Sequence, residues 1–248
     1  MNCNNHVSGA PSWKTAMTKF IWASCFLAAS FASTPASAKV VQSSVVEFPS
    51  NGRVIVQARE EVGRFPSMRF VSEKTREVLL QCAIRDKDKS LAPENDELTP
   101  PILRFRIIHS SGFNSPLIMS VGVAYGGSDS AFFMTVFGEV QGKIKSLNAR
   151  PFFANIQGGY YLGRLNDKLG YGLVTWNFIW GGDPGESHYS EHRYKEQVYR
   201  LQDGELKLTL SRVSRKKYTG NGSASLREIG IRVSDQRRGI PRVRDSLD

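Results

Sequence analysis

The sequence runs to 248 residues, 40% of them hydrophobic and 23% charged, with 33 Lys and Arg against 23 Asp and Glu for a formal net charge of +10. That length supports one domain with a sizeable core, or a short array of repeats. Three cysteines are too few for a disulfide-built scaffold, and no stretch beyond the N-terminus is apolar for long enough to span a bilayer.

At the N-terminus, Lys14 and Lys19 precede an apolar run from Phe20 to Ala32 and the small-residue pattern Ala36-Ser37-Ala38, with no acid before Glu47. This is the layout of a secretory signal peptide over 1–38, cut between Ala38 and Lys39. The run is shorter than the ~20 residues of a spanning helix, so cleavage rather than anchoring is expected and no transmembrane anchor then remains. Trp22 stands where lipoprotein processing at Cys25 wants Leu, which argues against lipidation. Removing 38 of 248 residues leaves 210 and takes Cys3 and Cys25 away. Cys82, left alone beside Leu79, Leu80 and Ala83, then reads as a buried inert thiol. The expected location is periplasmic or secreted.

From Lys39 onward, short runs rich in Val, Ile, Phe and Tyr alternate with Gly, Pro, Asn, Asp and Ser clusters, the signature of antiparallel strands and tight turns. They group in fours. Val40 to Phe48, Arg53 to Gln57, Met68 to Ser72 and Glu77 to Ile84 make a first unit, 40–84. The charged, proline-containing stretch from Arg85 to Pro101 is a loop by composition. Asp86 and Asp88 within it resemble the start of a calcium loop, but Lys87 and Lys89 interleave them. Ile102 to His109, Pro116 to Ala124, Ala131 to Val140 and Lys143 to Leu147 make a second unit, 102–147, and Gly159 to Leu165, Gly172 to Trp180, Arg193 to Leu201 and Glu205 to Ser211 a third, 159–211. The second and third also share a spelling, Val136 to Gly142 against Val198 to Gly204, with a Gly-Gly pair before each.

The fold class is therefore all-β, with four-stranded antiparallel meanders arranged as propeller-like blades or as a β-sandwich. The repeat domain is placed at 39–218. Propellers usually close with about four or more blades, so three units imply an open stack, an oligomer or a sandwich. Strands apolar on both faces, such as Leu173 to Trp180, belong at sheet centres, with Trp176 and Trp180 in the core. Gly142 and Gly204 are expected at equivalent hairpin turns.

The third unit holds the candidate chemistry. His188-Tyr189-Ser190-Glu191-His192 has the His-x-x-Glu-His spacing of inverzincin metallopeptidases; on a helix the two histidines would share a face as zinc ligands while Glu191 activated a water. The surrounding Gly181, Gly182, Pro184 and Gly185 do not favour that helix. No Gly-x-Ser-x-Gly elbow, His-Glu-x-x-His, Walker loop or dinucleotide fingerprint occurs. Tyr160, Tyr161 and Tyr189, flanked by glycine or polar residues, are the aromatics expected to reach solvent and to stack on sugars or other flat apolar faces.

Within the same unit, Gly163-Arg164-Leu165-Asn166-Asp167-Lys168-Leu169-Gly170-Tyr171-Gly172-Leu173-Val174 resembles the FG-GAP or VCBS-type propeller repeat, where a Gly-Asp-Leu-Asn turn leads into an apolar strand. In that family the acidic turn often binds calcium. Here Arg164 replaces the first aspartate and only Asn166 and Asp167 remain as donors, short of the six to eight oxygens calcium takes. Neither calcium nor zinc is expected as a resident cofactor.

From Ser211 onward, ten Arg and Lys face four acids, a net of +6, so 219–248 reads as a flexible basic tail. The sequence thus predicts an exported, non-enzymatic β-repeat binding or scaffold protein, with a zinc-dependent hydrolase using His188, Glu191 and His192 and a carbohydrate-binding module as alternatives. Its partner would be a protein, a glycan or an anionic envelope component rather than nucleic acid.

Overall fold

In the computed structural model, the described residues are 3–4, 38–60, 66–83, 99–109, 112–126, 129–155, 157–181, 184–220 and 222–233. They form three antiparallel sheets and a single turn-rich helix. The first sheet holds β1 (Cys3–Asn4), β2 (Lys39–Phe48), β3 (Gly52–Glu60), β4 (Ser67–Ser72) and β5 (Val78–Ala83), in the order β1-β5-β4-β3-β2. The second holds β6 (Thr99–Ile108), β7 (Leu117–Gly126), β8 (Asp129–Val140), β9 (Lys143–Ser146) and β10 (Phe152–Asn155); β10 and β9 divide the outer edge of the long β8 between them. The third is a plain meander of β11 (Gly159–Asn166), β12 (Gly170–Ile179), β13 (Arg193–Gln202) and β14 (Glu205–Val213). Each expected meander is one sheet. Asp86 and Asp88 lie outside the described residues.

The alternation of side chains along each strand explains the layering. In the middle sheet Ile118 and Phe137 point to a core shared with Val56, Met68, Phe70 and Leu80 of the first sheet. Their neighbours Leu117, Met119 and Val136 point the other way, to a core shared with Leu162, Leu173 and Leu206 of the third. Period two makes this unavoidable for a strand apolar at every position. The sheets are stacked, and the middle one is covered on both faces.

Side-chain amides stitch neighbouring sheets along their edges. Gln42 of β2 donates through Nε2 to the Phe105 carbonyl at 2.9 Å and accepts from the Phe105 N–H at 2.8 Å, doing for the open edge of β6 what another strand would do. Asn155 and Asn177 do this reciprocally. The Asn155 N–H donates to Asn177 Oδ1 at 2.7 Å, Asn177 Nδ2 donates to the Phe153 carbonyl, and Asn155 Nδ2 donates to the Phe178 carbonyl. These bonds satisfy backbone groups that an unpaired edge would leave open.

The two hairpins expected to match have the same geometry. Gln141-Gly142 has φ of 53° and 74°, and Asp203-Gly204 has φ of 53° and 74°, the paired positive values of a type I′ turn. The first tip is tied to the first sheet, where Asn51 Nδ2 donates to the Gly142 carbonyl at 3.0 Å. The second packs on Val140, where a β-carbon on Gly204 would come within 2.4 Å of Cγ1.

Two expectations need correction, and a third applies only to a chain without its leader. The segment read as tail is packed through residue 233: Ser223–Ile229 forms a 3-10 helix, and Leu226 and Ile231 are fully buried with Val174, Trp176, Phe178, Tyr194 and Val198 against the outer face of the third sheet. That face would otherwise expose a whole apolar layer. Residues 234–248 lie outside the described residues. Trp180, expected in the core, is 48% exposed because β12 ends at Ile179. Cys82 is buried as expected but is disulfide-bonded, and the pairing of β1 with β5 sets Cys3 directly across from it. The lone-thiol reading assumed that Cys3 had left with the leader.

Candidate functional site

Beyond Ile179 the glycines at 181 and 182 and Pro184 end the β ladder, and the chain loops back to enter β13 at Arg193. A buried carboxylate organises this loop. Glu186 accepts the Gly181 N–H through both oxygens, at 2.9 and 2.7 Å, and lies 3.0 Å from His192 Nδ1. His192 Nε2 faces the Ser187 carbonyl at 2.9 Å. Both ring nitrogens thus lie within hydrogen-bond distance of an oxygen. The His192 backbone is fixed as well, since it exchanges two hydrogen bonds with Tyr218 at 3.0 and 2.8 Å.

The His188 stretch is a tight turn. The Ser190 N–H donates to the Ser187 carbonyl and the Ser187 N–H donates to Ser190 Oγ, both at 2.9 Å. His188 and His192 therefore do not share a helix face. The two His192 nitrogens lie against Glu186 and the Ser187 carbonyl, and Glu191 is exposed on the loop. Among the described residues, no group of three or more His, Cys, Asp or Glu side chains is arranged to hold a metal.

Rings collect around this lock. Trp180 lies 5.1 Å from Phe178 at 82°, 4.9 Å from His188 at 69° and 5.4 Å from His192 at 77°, all edge-to-face. Phe178 and His192 are buried beneath, while Trp180 is half exposed and the adjoining Tyr189 is 92% exposed. Solvent thus meets the Trp180 indole, packed on Phe178, His188 and His192, and the phenol of Tyr189.

Tyr160 and Tyr161 stand elsewhere, on opposite faces of β11. Tyr160 packs edge-to-face on Phe132 at 6.3 Å in the second core, where burial pushes its hydroxyl pKa up against the opposing effect of Arg106. Tyr161 packs into the third core. Both are half-buried, whereas Tyr189 is exposed. In the calcium-like turn, Arg164 pairs with Asp167 at 2.7 Å, and Asn166 Oδ1 accepts the N–H groups of Lys168 and Leu169 at 3.0 and 2.7 Å. The Asn166 amide donates to the carbonyls of Ile229 and Gly230. This turn clamps the C-terminal helix.

Trp180 and Glu186 are the two residues that sequence reasoning missed. The signal for both was local: β12 stops at Ile179, just before Trp180 and Gly181, and Glu186 is an acid five residues beyond the Gly181 amide that it accepts. Of the cleavage residues, Ala36 lies outside the described residues, Ala38 is the first residue of the continuous fold and Lys39 opens β2. Comparison with protein-family models, with curated proteins and with solved structures finds no match for this chain.

Proposed function

We propose that the protein is an exported, non-enzymatic β-repeat binding protein of the cell envelope or extracellular space, and that it meets its partner with the β12–β13 loop. The observation that carries this reading is the exposed Trp180 and Tyr189 on a loop tied by the hydrogen bonds of Glu186, Ser187 and Ser190. A surface held rigid before binding loses little conformational entropy on binding, which is how a small patch reaches useful affinity. Large exposed aromatics grouped on one loop also mark interaction sites more often than isolated ones do. The leader-like sequence ahead of Lys39, together with a fold whose first long strand starts there, supports export.

The test is cosedimentation of the purified protein, begun at Lys39, with isolated cell envelopes of the producing organism. Saturable binding that falls in Trp180→Ala, with an unchanged thermal transition, is the expected result. Binding that is absent, or equal in the variant, would reject the loop as the contact surface.

A further inference from the structure

We propose that the outer face of the first sheet carries an anion site, built from Arg59, Ser67 and Arg69, for a dianionic tetrahedral oxyanion of the phosphate class. This goes beyond the loop reading above and does not depend on it.

Strand register sets the three residues side by side. Val56, Ala58, Met68 and Phe70 turn into the first core, so by period two Gln57, Arg59, Ser67 and Arg69 turn outward. Arg59 pairs directly across from Ser67, and Arg69 follows Ser67 by two positions on the same face. The two arginines are thus diagonal neighbours, with Cα atoms about 7–8 Å apart and Ser67 adjacent to both.

Charge balance separates this pair from the third arginine of the face. Arg53 stands across from Glu47 and lies 3.0 Å from Glu73. Arg59, by contrast, shares its row across the sheet with Val40, Ser67 and Ala83, and Arg69 shares its own with Ser43, Gln57 and Gln81. No acid stands in either row. Two like charges at that spacing repel unless an anion joins them. Burial sharpens the demand. Ser67 is 6% exposed and both arginines are half-buried. The Ser67 hydroxyl and the Nε of each arginine are closed to solvent and have no hydrogen-bond partner among the described residues. A polar atom in that state costs stability until something bonds it.

Donor chemistry then selects the ligand. The site offers two guanidinium forks and a hydroxyl. A carboxylate has two oxygens, which a single fork occupies in full. A tetrahedral dianion keeps oxygens for the second fork and for Ser67, and its charge cancels both cations. A free phosphate and one carried by a lipid present the same oxygens.

The experiment titrates inorganic phosphate into the purified protein at low ionic strength by calorimetry, with acetate as control. Vesicles of phosphatidylcholine, with and without phosphatidic acid, are tested by cosedimentation. Phosphate in at least one form should bind saturably, sulfate should compete, and added salt should weaken the binding. Arg59→Gln and Arg69→Gln should each weaken it about tenfold or more. Arg69→Lys should weaken it too, because an ammonium keeps the charge and loses the fork. Near-ultraviolet circular dichroism shows that each variant is folded. Without phosphate, both glutamine variants should melt no lower than the native protein, since a repulsion is relieved; phosphate should then raise the melting temperature of the native protein alone. Binding of the vesicles only assigns the site to a lipid headgroup, and binding of the free ion as well assigns it to the phosphate group itself. Acetate bound as tightly as phosphate, no saturable binding of either form, or undiminished binding in a folded Arg59→Gln or Arg69→Gln protein overturns the proposal. Trp180→Ala should leave phosphate binding intact, so failure of the β12–β13 loop as a contact surface and failure of this site are read separately.

Discussion

Gly222 sits where any β-carbon would fall 2.0 Å from the ring of Tyr194, with φ of 64°, in the left-handed region. Tyr194 is among the largest fully buried side chains, and its hydroxyl donates to the Gly220 carbonyl at 2.7 Å, with burial pushing its pKa to about 12. Gly222→Ala should therefore destabilise the fold by about 1–3 kcal/mol, from positive φ and overpacking together. Urea denaturation checks this; an unchanged midpoint would show that the tyrosine moves aside freely. Arg212 is the other decisive residue. It lies 3.3 Å from the fully buried Glu196 and donates to Glu228. Burial alone would raise the Glu228 pKa, but the N–H groups of Arg215 and Lys216, the Tyr218 hydroxyl and Arg212 together bring it down to about 2. Its ionised form is favoured in the fold, so its contribution is complete above the ordinary carboxylate range and is lost as pH falls through about 2. Glu196 acts in the opposite sense: burial raises its pKa despite Ser225 and Arg212, so its cost appears as pH rises. Glu228→Gln should then lower stability at pH 7 by about 1–3 kcal/mol, with the gap from the native protein closing between pH 5 and pH 2. A gap independent of pH would remove Glu228 as the titrating group.

The C-terminal helix carries the element-scale argument, because seven residues of 3-10 structure and the Ile231 that follows cover an apolar layer. Leu226 is fully buried in the third core, and Leu226→Ala should cost about 2–5 kcal/mol. Truncation after Tyr218 should cost more and lower the thermal transition, since it uncovers Val174, Trp176, Phe178 and Val198 together; a truncated protein that melts like the full chain would show the helix to be an ornament. The strands themselves were legible in the sequence, and for a reason visible in β8. Phe137 and Val136 serve different cores, so both had to be apolar, and an unbroken apolar run is the pattern of a doubly covered strand. The helix was not legible, because the +6 charge after Ser211 hid it. Leu226 and Ile231 are its fully buried apolar residues, with Ile229 and Val233 packed beside them, and the cation that joins it to the sheet, Arg212, belongs to β14. The aromatic loop was half legible. Tyr189 stood out by its polar neighbours, whereas Trp180 looked like one more ring on an apolar strand, and it reaches solvent because β12 ends just before it at Ile179.

At the scale of the whole molecule, the middle sheet contributes to two cores at once, one shared with each neighbouring sheet. Its N-terminal boundary is the part that processing would change. Cys82 lies at the heart of the first core, disulfide-bonded, with Cys3 opposite it across the β1–β5 pairing. Cleavage before Lys39 would remove Cys3 and Cys25 and leave Cys82 as the sole cysteine of the mature chain. The remaining strands of the first sheet do not depend on that bond: β2 to β5 pair continuously, and Val54, Val56, Met68 and Phe70 hold the core around Cys82 by burial alone. Exported material should therefore have the mass of a chain starting at Lys39 and one thiol per molecule. That thiol should be silent to Ellman's reagent in the folded protein and react at unit stoichiometry once urea unfolds it, because a fully buried sulfur is reached only by opening the core. A full-length exported chain, or a thiol that reacts at once in the native state, would mean that the leader stays and that β1 belongs to the working protein.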